Sequence, residues 1–348
     1  MGMPQILIEF KNRAVSAIQR SQKGIVALVL VNAGDFDTKV YRSIDEVNKE
    51  DWTTENYDYI SKTFMGTPNR IVVERIALAD DIMLALTRLN TKKWNYLAIP
   101  SATVTTDIST WIKSMRLNNK KTFKAVLANS SADNEGVINF TAEDIVVGDK
   151  TYTTSEYTTR IAGVLAGLPF TRSATYFVLP EVDSVKEVEN PDAAIQNGEL
   201  ILVNDGEKVK IGRAVNSFIS PTVEKSKIFS KIKIVEGMDL MLDDIRDTFN
   251  NSYVGKVINN YDNKILFLSS VNAYFKQLAI DSILDINYDN KAEINLKAQK
   301  LYLQSIGIDI DELEEQEIKE HNTESTVFAA GKVKFVDAME DLAFNIEI

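Results

Sequence analysis

The 348-residue sequence predicts an α/β protein, α+β when taken whole, in which a wound, mostly parallel sheet leads into a helical C-terminal part. Three observations predict it. Apolar runs of strand length alternate with helix-patterned segments from about residue 21, the order of a doubly wound sheet covered on both faces. Residues 25–31, Ile-Val-Ala-Leu-Val-Leu-Val, are continuously apolar, as in a strand buried on both sides. After about residue 225 the strand runs give way to long stretches with apolar residues three and four apart.

The elements follow in order. Residues 55–64 carry Tyr57, Ile60 and Phe64 at helical spacing and stop at Gly66. Residues 70–76 form a second β-branched run, and 80–89 a helix with acidic residues in its first turn, where the helix dipole favours them. Residues 94–99 read as a third strand ended by Pro100. Thr106 or Asp107 caps the next helix, which runs to about Leu117, and 123–127 is a fourth strand. From about 130 the chain is richer in strands. Residues 144–147 and 151–153 flank a Gly148-Asp149 turn, and Thr153 with Glu156 makes a capping box for a helix reaching Leu168. Gly163 and Gly167 share a face of that helix and permit close packing. Asp205-Gly206, between strands at 200–204 and 208–219, is the strongest hairpin signal in the chain. Segments 238–249, 265–283 and 292–305 read as helices, 309–323 as a polar stretch, and the chain closes with two strands separated by the polar link 337–341.

Alternation with period 2 marks both terminal regions. It places Ile6, Ile8 and Phe10 on one face, and Leu342, Phe344, Ile346 and Ile348 on another. Val333 and Phe335 share a face in the preceding strand. Such stripes must be buried, either inside their own subunit or by neighbours, and the second choice makes an assembly protein.

Composition removes several classes of function. There is no Cys, so disulfides, thiolate nucleophiles and Cys-ligated metals are excluded. A single His, His321, sits in a charged run and excludes two-His zinc motifs. No Gly-x-Ser-x-Gly, Gly-x-Gly-x-x-Gly or phosphate-binding P-loop accompanies the sheet, so neither a hydrolase triad nor a nucleotide cradle can be named. Residues 285–289 begin like a calcium loop, but Asn290 replaces its turn glycine and Leu296 its closing Glu. The pairs Asp80-Asp81 and Asp243-Asp244 read as acids near helix starts, where capping outweighs catalysis. The net charge of −11 disfavours nucleic acid and anionic membranes. The longest apolar run is too short to span a bilayer, and no secretory leader pattern is visible. From these residues alone the reading is a two-domain α/β protein, either self-assembling or an enzyme whose activity no constellation identifies.

Three stretches carry a resemblance. They are Pro4-Gln5-Ile6-Leu7-Ile8-Glu9-Phe10 leading into 14–18; Arg20-Ser21-Gln22-Lys23-Gly24-Ile25 leading into Leu28; and Gly331-Lys332-Val333 followed by Val336-Asp337-Ala338-Met339-Glu340-Asp341-Leu342. With them the chain resembles the tail sheath proteins of contractile phage tails, the short sheaths of phage-like elements and R-type bacteriocins of Gram-positive hosts above all. The resemblance implies an N-terminal arm over 1–20, a subtilisin-like but non-catalytic α/β domain over 21–225, and a conserved C-terminal sheath domain over 226–348. The last would hold helices, a small sheet completed by neighbouring subunits, and a hairpin and C-terminal arm over 332–348. It implies that Ile6, Ile8 and Phe10 insert from one arm and Leu342, Phe344, Ile346 and Ile348 from the other. Val333 and Phe335 would lie in the receiving hairpin, with Asp337, Met339, Glu340 and Asp341 in the link. The implied partners are further copies in a helical stack of rings, an inner tail tube, baseplate and terminator proteins, without nucleic acid, membrane insertion or cofactor. The implied location is the host cytoplasm during assembly and the particle's tail afterwards. Lys256, Lys264 and Lys276 are candidate contacts to an acidic tube, and a solvated helix face explains them equally well.

Overall fold

A computed structural model of the chain describes residues 24–34, 37–78 and 80–347. Two compact units divide the described residues, one from 24 to 239 joined by the C-terminal segment 337–347, the other containing 240–336.

The larger unit is built on seven strands. Its chain order begins β1 (Ile25–Val31), β2 (Thr38–Tyr41), α1 (Thr54–Phe64), β3 (Arg70–Ile76), α2 (Ile82–Leu89) and β4 (Tyr96–Ala98). It continues with α3 (Thr106–Leu117), β5 (Lys124–Ala128), β6 (Val137–Phe140), the hairpin β7 (Ile145–Val147) and β8 (Lys150–Tyr152), then α4 (Thr154–Gly167). Next come α5 (Pro191–Gln196), β9 (Glu199–Leu200) and a second hairpin, β10 (Leu202–Asn204) with β11 (Val209–Ile211). The sheet order is β2-β3-β1-β4-β5-β6-β9, parallel throughout except for β2 at the edge.

The two-sided burial predicted for β1 is the organising feature. Val26, Leu28 and Leu30 pack with Ile60 of α1 and Ile161 of α4, while Ile25, Ala27 and Val29 pack on the other face with Leu86 of α2 and Ile112 of α3. Burial of each large side chain contributes about 1.5–3 kcal/mol, so the central strands anchor both layers. The capping box is formed, with Thr153 Oγ1 accepting from the Glu156 N–H and Glu156 Oε2 accepting from the Thr153 N–H. α4 lies closely against the end of α1 because it lacks side chains where the two meet. A Cβ on Gly163 would lie 2.1 Å from the Thr63 carbonyl oxygen, and one on Gly167 1.7 Å from that of Gly66.

Several local expectations change. β2 and β6 are strands that the sequence reading left unassigned, and the strand expected over 200–204 divides into β9 and β10. α2 starts two residues late, so Asp81 is its N-cap, accepting from the Met83 N–H at 2.9 Å, and its first turn holds no acid. α3 is preceded by Thr105, which makes no side-chain cap, rather than being capped by Thr106 or Asp107. The strand expected over 208–219 ends at Ile211, with one further in-register bond from the Gly212 N–H to the Ile201 carbonyl.

α6 (Ile232–Ser252) crosses the division between units. Its first turns, as far as Asp239, group with the sheet unit, and buried charge explains why. Lys124, 1% exposed, meets Glu236 at 2.9 Å and Asp239 at 2.8 Å, and Arg116 grips Asp239 through two bonds of 3.0 Å. The Tyr96 hydroxyl donates to Glu236 at 2.5 Å. Asp243 and Asp244 therefore lie mid-helix, not near a helix start: Asp243 pairs with Arg246, and Asp244 accepts from the Tyr274 hydroxyl at 2.7 Å.

The smaller unit contains the rest of α6, α7 (Tyr261–Ile280), β12 (Lys291–Ile294), α8 (Leu296–Ser305), α9 (Glu315–Glu320) and β13 (Ala329–Lys332). Phe249, Tyr253 and Phe267 interlock the α6–α7 hairpin, with edge-on ring centroids at 5.2 and 5.0 Å. The helix expected over 292–305 begins instead as β12, whose Ala292 and Ile294 are buried while Lys291 and Glu293 are exposed. That period of 2 over four residues was absorbed into the longer helical pattern. The polar stretch 309–323 carries α9, opened by its own Glu314–Glu317 capping box.

Candidate assembly interface

Two places hold the residues singled out for assembly, one in each unit. The first is the two-stranded sheet of β12 and β13, paired antiparallel with Ala292 opposite Gly331 and Ile294 opposite Ala329. The closing strand pair therefore sits earlier than a hairpin over 332–348. Val333 and Phe335 follow β13 in extended continuation, and Phe335 forms an isolated bridge with Leu284. Lys332 and Lys334 draw Asp289 and Asp285 to 2.9 Å each, so the carboxylates of the abortive calcium loop are held by lysines. The Lys334 bond holds the Asp285 carboxyl below the usual carboxylate range.

The second place is the C-terminal segment. Its link is acidic for a local reason: each acid has a fixed partner in the sheet unit. Asp337 pairs with Lys231. Glu340 Oε1 accepts from the Ser173 and Thr175 hydroxyls at 2.8 and 2.7 Å, and its other oxygen lies 3.5 Å from Arg213. Asp341 meets the same Arg213 at 2.5 Å. Met339, between them, is fully exposed. Past Asp341 the chain forms neither helix nor strand among the described residues. Leu342, Phe344 and Ile346 are 89%, 73% and 73% exposed. These three apolar side chains are thus uncovered in a single chain. Ile6, Ile8 and Phe10 lie outside the described residues, as does Ile348.

The three lysines offered as tube contacts separate. Lys256 and Lys276 are exposed. Lys264 is 3% exposed, with its ammonium 3.4 Å from the His321 carbonyl, and burial pushes its pKa down. A cation held in the core cannot face a partner, so Lys264 leaves the set. The partners of the link, Ser173, Thr175, Lys231 and Arg213, were missed. Nothing local distinguishes them, and they lie 106 to 167 residues away from the acids they bind. Among the described residues no cluster of acids and histidine could hold a metal ion, and no helix is long and apolar enough to cross a membrane.

Comparison with known proteins gives this geometry its class. Residues 77–217 match the family model of the phage tail sheath protein central domain, and 224–348 that of the phage tail sheath C-terminal domain. The tail sheath protein of Clostridium phage phiCD119 is 39% identical over 364 residues, spanning 100% of this chain and 99% of the relative. The crystal structure of the sheath tail protein from Desulfitobacterium hafniense shares the fold at 18% identity, with a TM-score of 0.70 over 83% of this chain and 93% of that one. A chain of the anti-feeding prophage baseplate, solved by cryo-electron microscopy, shares it at 11% identity, with a TM-score of 0.66 over 100% and 99%. These matches define a structural component of a phage tail. Within that class, the chain belongs to the phage tail sheath family.

Proposed function

We propose that this chain is the repeating subunit of a contractile sheath, polymerising as stacked rings around an inner tail tube and shortening to drive the tube through a cell envelope. The observation that carries the reading is the uncovered stripe Leu342, Phe344 and Ile346, held out from a root fixed by Asp337, Glu340 and Asp341. An apolar strand kept in water is an aggregation hazard unless assembly uses it. Strand addition to a neighbour's sheet uses it: main-chain bonds supply affinity and alternate side chains set register. The N-terminal stripe Ile6, Ile8 and Phe10 does the same for a second neighbour, so each subunit stays tethered while its other contacts exchange. The free energy of contraction is stored in subunit packing, and neither nucleotide nor catalytic chemistry is required. The tube, baseplate and terminator are the implied partners, with Lys256 and Lys276 as candidate tube contacts. Assembly in the host cytoplasm precedes residence in the tail.

Negative-stain electron microscopy of the purified chain, alone and with its tube protein, tests the reading. Rings or tubes are expected; a strict monomer at high concentration under both conditions overturns it. Phe344→Asp supplies the residue-level check. An unpaired carboxylate in a dry strand interface is costly, so this variant should stay folded and fail to assemble. Normal tubes from it would remove Phe344 from the interface.

A further inference from the structure

Charge is divided unevenly along the chain, and both extremes reach the surface. Residues 82–132 carry eight cations and one acid, Asp107, although the whole chain has a net charge of −11. Arg88 and Lys92 reach Glu74, and Arg116 and Lys124 reach Asp239, all inside the sheet unit. Lys93, Lys120 and Lys121 are placed differently, in the turns that precede β4 and β5, and Lys113 lies in α3 shortly before the second turn. β4 and β5 are parallel, with Tyr96 opposite Lys124, so both turns open on the amino edge of the sheet. Trp94 stacks on Phe123 with ring centroids 3.8 Å apart and holds the turns side by side. The Lys121 ammonium lies 5.7 Å from the same Phe123 ring. The C-termini of α2 and α3 favour cations here. They do not call for Leu117, the last residue of α3, which is exposed three residues ahead of Lys120. The opposite extreme is in the smaller unit. Residues 309–320 hold seven acids against one lysine, and all seven acids are exposed. Ile306, also exposed, stands three residues ahead of them.

Resting on the self-assembly proposed above, we infer that the lysine-bearing amino edge of the wound sheet receives the acidic segment 309–320 of a second copy. The two surfaces are opposite in sign. Each also has an exposed aliphatic side chain, Leu117 on one and Ile306 beside the other, to exclude water at the contact. They are different patches of one chain, so the contact is head-to-tail. Each copy offers its edge to one neighbour and its acids to the next, and the pattern continues into a ring or a helix. Charge is screened over about 8 Å at physiological salt, so the attraction acts at contact range and fixes which faces meet. A chain of net charge −11 otherwise repels its own copies. Setting its most acidic stretch against lysines turns that repulsion into a contact.

Charge exchange tests the pairing. Lys93→Glu with Lys120→Glu and Lys121→Glu reverses the edge. Asp311→Lys with Glu312→Lys and Glu315→Lys reverses the segment while sparing the Glu314–Glu317 capping box. Each triple variant should melt like the parent and form no rings or tubes. The chain carrying both sets, with the parent's net charge, should form them again. Normal assembly by either triple variant overturns the inference, and so does failure of the folded combined chain. Coupling in the parent reads the contact without any substitution. A carbodiimide joins amines to carboxylates in direct contact. Tubes built from equal parts of heavy-nitrogen-labelled and unlabelled chain should therefore yield mixed-isotope peptides linking Lys93, Lys120 or Lys121 to acids of 309–320. Links from these lysines in unmixed isotope only, or only to the tube protein, overturn the pairing. So does a DNA gel shift by the parent that the lysine triple variant loses, because the edge then serves nucleic acid. A parent that assembles without the mixed links overturns this pairing alone, whereas a parent that stays monomeric overturns the sheath reading with it.

Discussion

A lysine with 1% of its side chain exposed persists in the core because its charge is answered at once. Lys124 has Asp239 at 2.8 Å and Glu236 at 2.9 Å. Burial pushes the Asp239 carboxyl up, but Lys124 and Arg116 reverse it and leave it below the usual carboxylate range. Burial likewise pushes Lys124 down, and Asp239 and Glu236 raise it above the usual lysine range. Removing one partner strands the other, so Asp239→Ala should lower unfolding stability by about 3–5 kcal/mol, read from urea melts. The signs set the pH dependence. A depressed Asp239 stabilises above the ordinary carboxylate pKa of about 4, and loses that contribution as pH falls through its folded value. A raised Lys124 stabilises below about pH 10.4 and loses its contribution as pH rises through its own folded value. Urea midpoints should therefore fall at both extremes, with Asp239→Asn flattening the acid limb relative to the parent. None of this was legible in the sequence, because the pair is separated by 115 residues and each member looks like an ordinary surface charge. The Thr153–Glu156 box was legible because its partners are three residues apart.

Elements were legible in proportion to the length of their pattern. β1 and β3 fall where their apolar runs placed them, since six consecutive buried residues in the first and four in the second leave little choice. β12 was lost because four alternating residues run directly into α8 and share its apolar positions. The C-terminal link shows the same limit from another side. Its acids were visible and its place as a polar link was expected, yet Arg213, Ser173 and Thr175 were not. Their effect should be local. Glu340→Ala removes two hydroxyl bonds and an ion pair that hold only the segment's root, so the thermal transition should stay within a degree or two of the parent. Amide exchange over 337–347 should accelerate in that variant. A drop of many degrees would show that the link is a structural part of the sheet unit rather than an anchor for the arm.

At the scale of the whole molecule, the wound sheet was legible from strand–helix alternation. Composition shifts near residue 225, but the buried acids of α6 bind its first turns into the sheet unit as far as Asp239. The C-terminal segment returns to that unit as well, through ion pairs rather than through apolar packing. Folding and assembly therefore draw on different residues. Leu342, Phe344 and Ile346 bury little within the chain, so they add little to its stability. Truncation of 342–348 should give a monomer that melts cooperatively at the parent temperature and fails to form rings or tubes. Calorimetry and negative-stain microscopy on the same preparation read both halves of that outcome. A truncated chain that unfolds early would place the stripe in the subunit's own core, and one that still builds tubes would leave the linking of subunits to other surfaces.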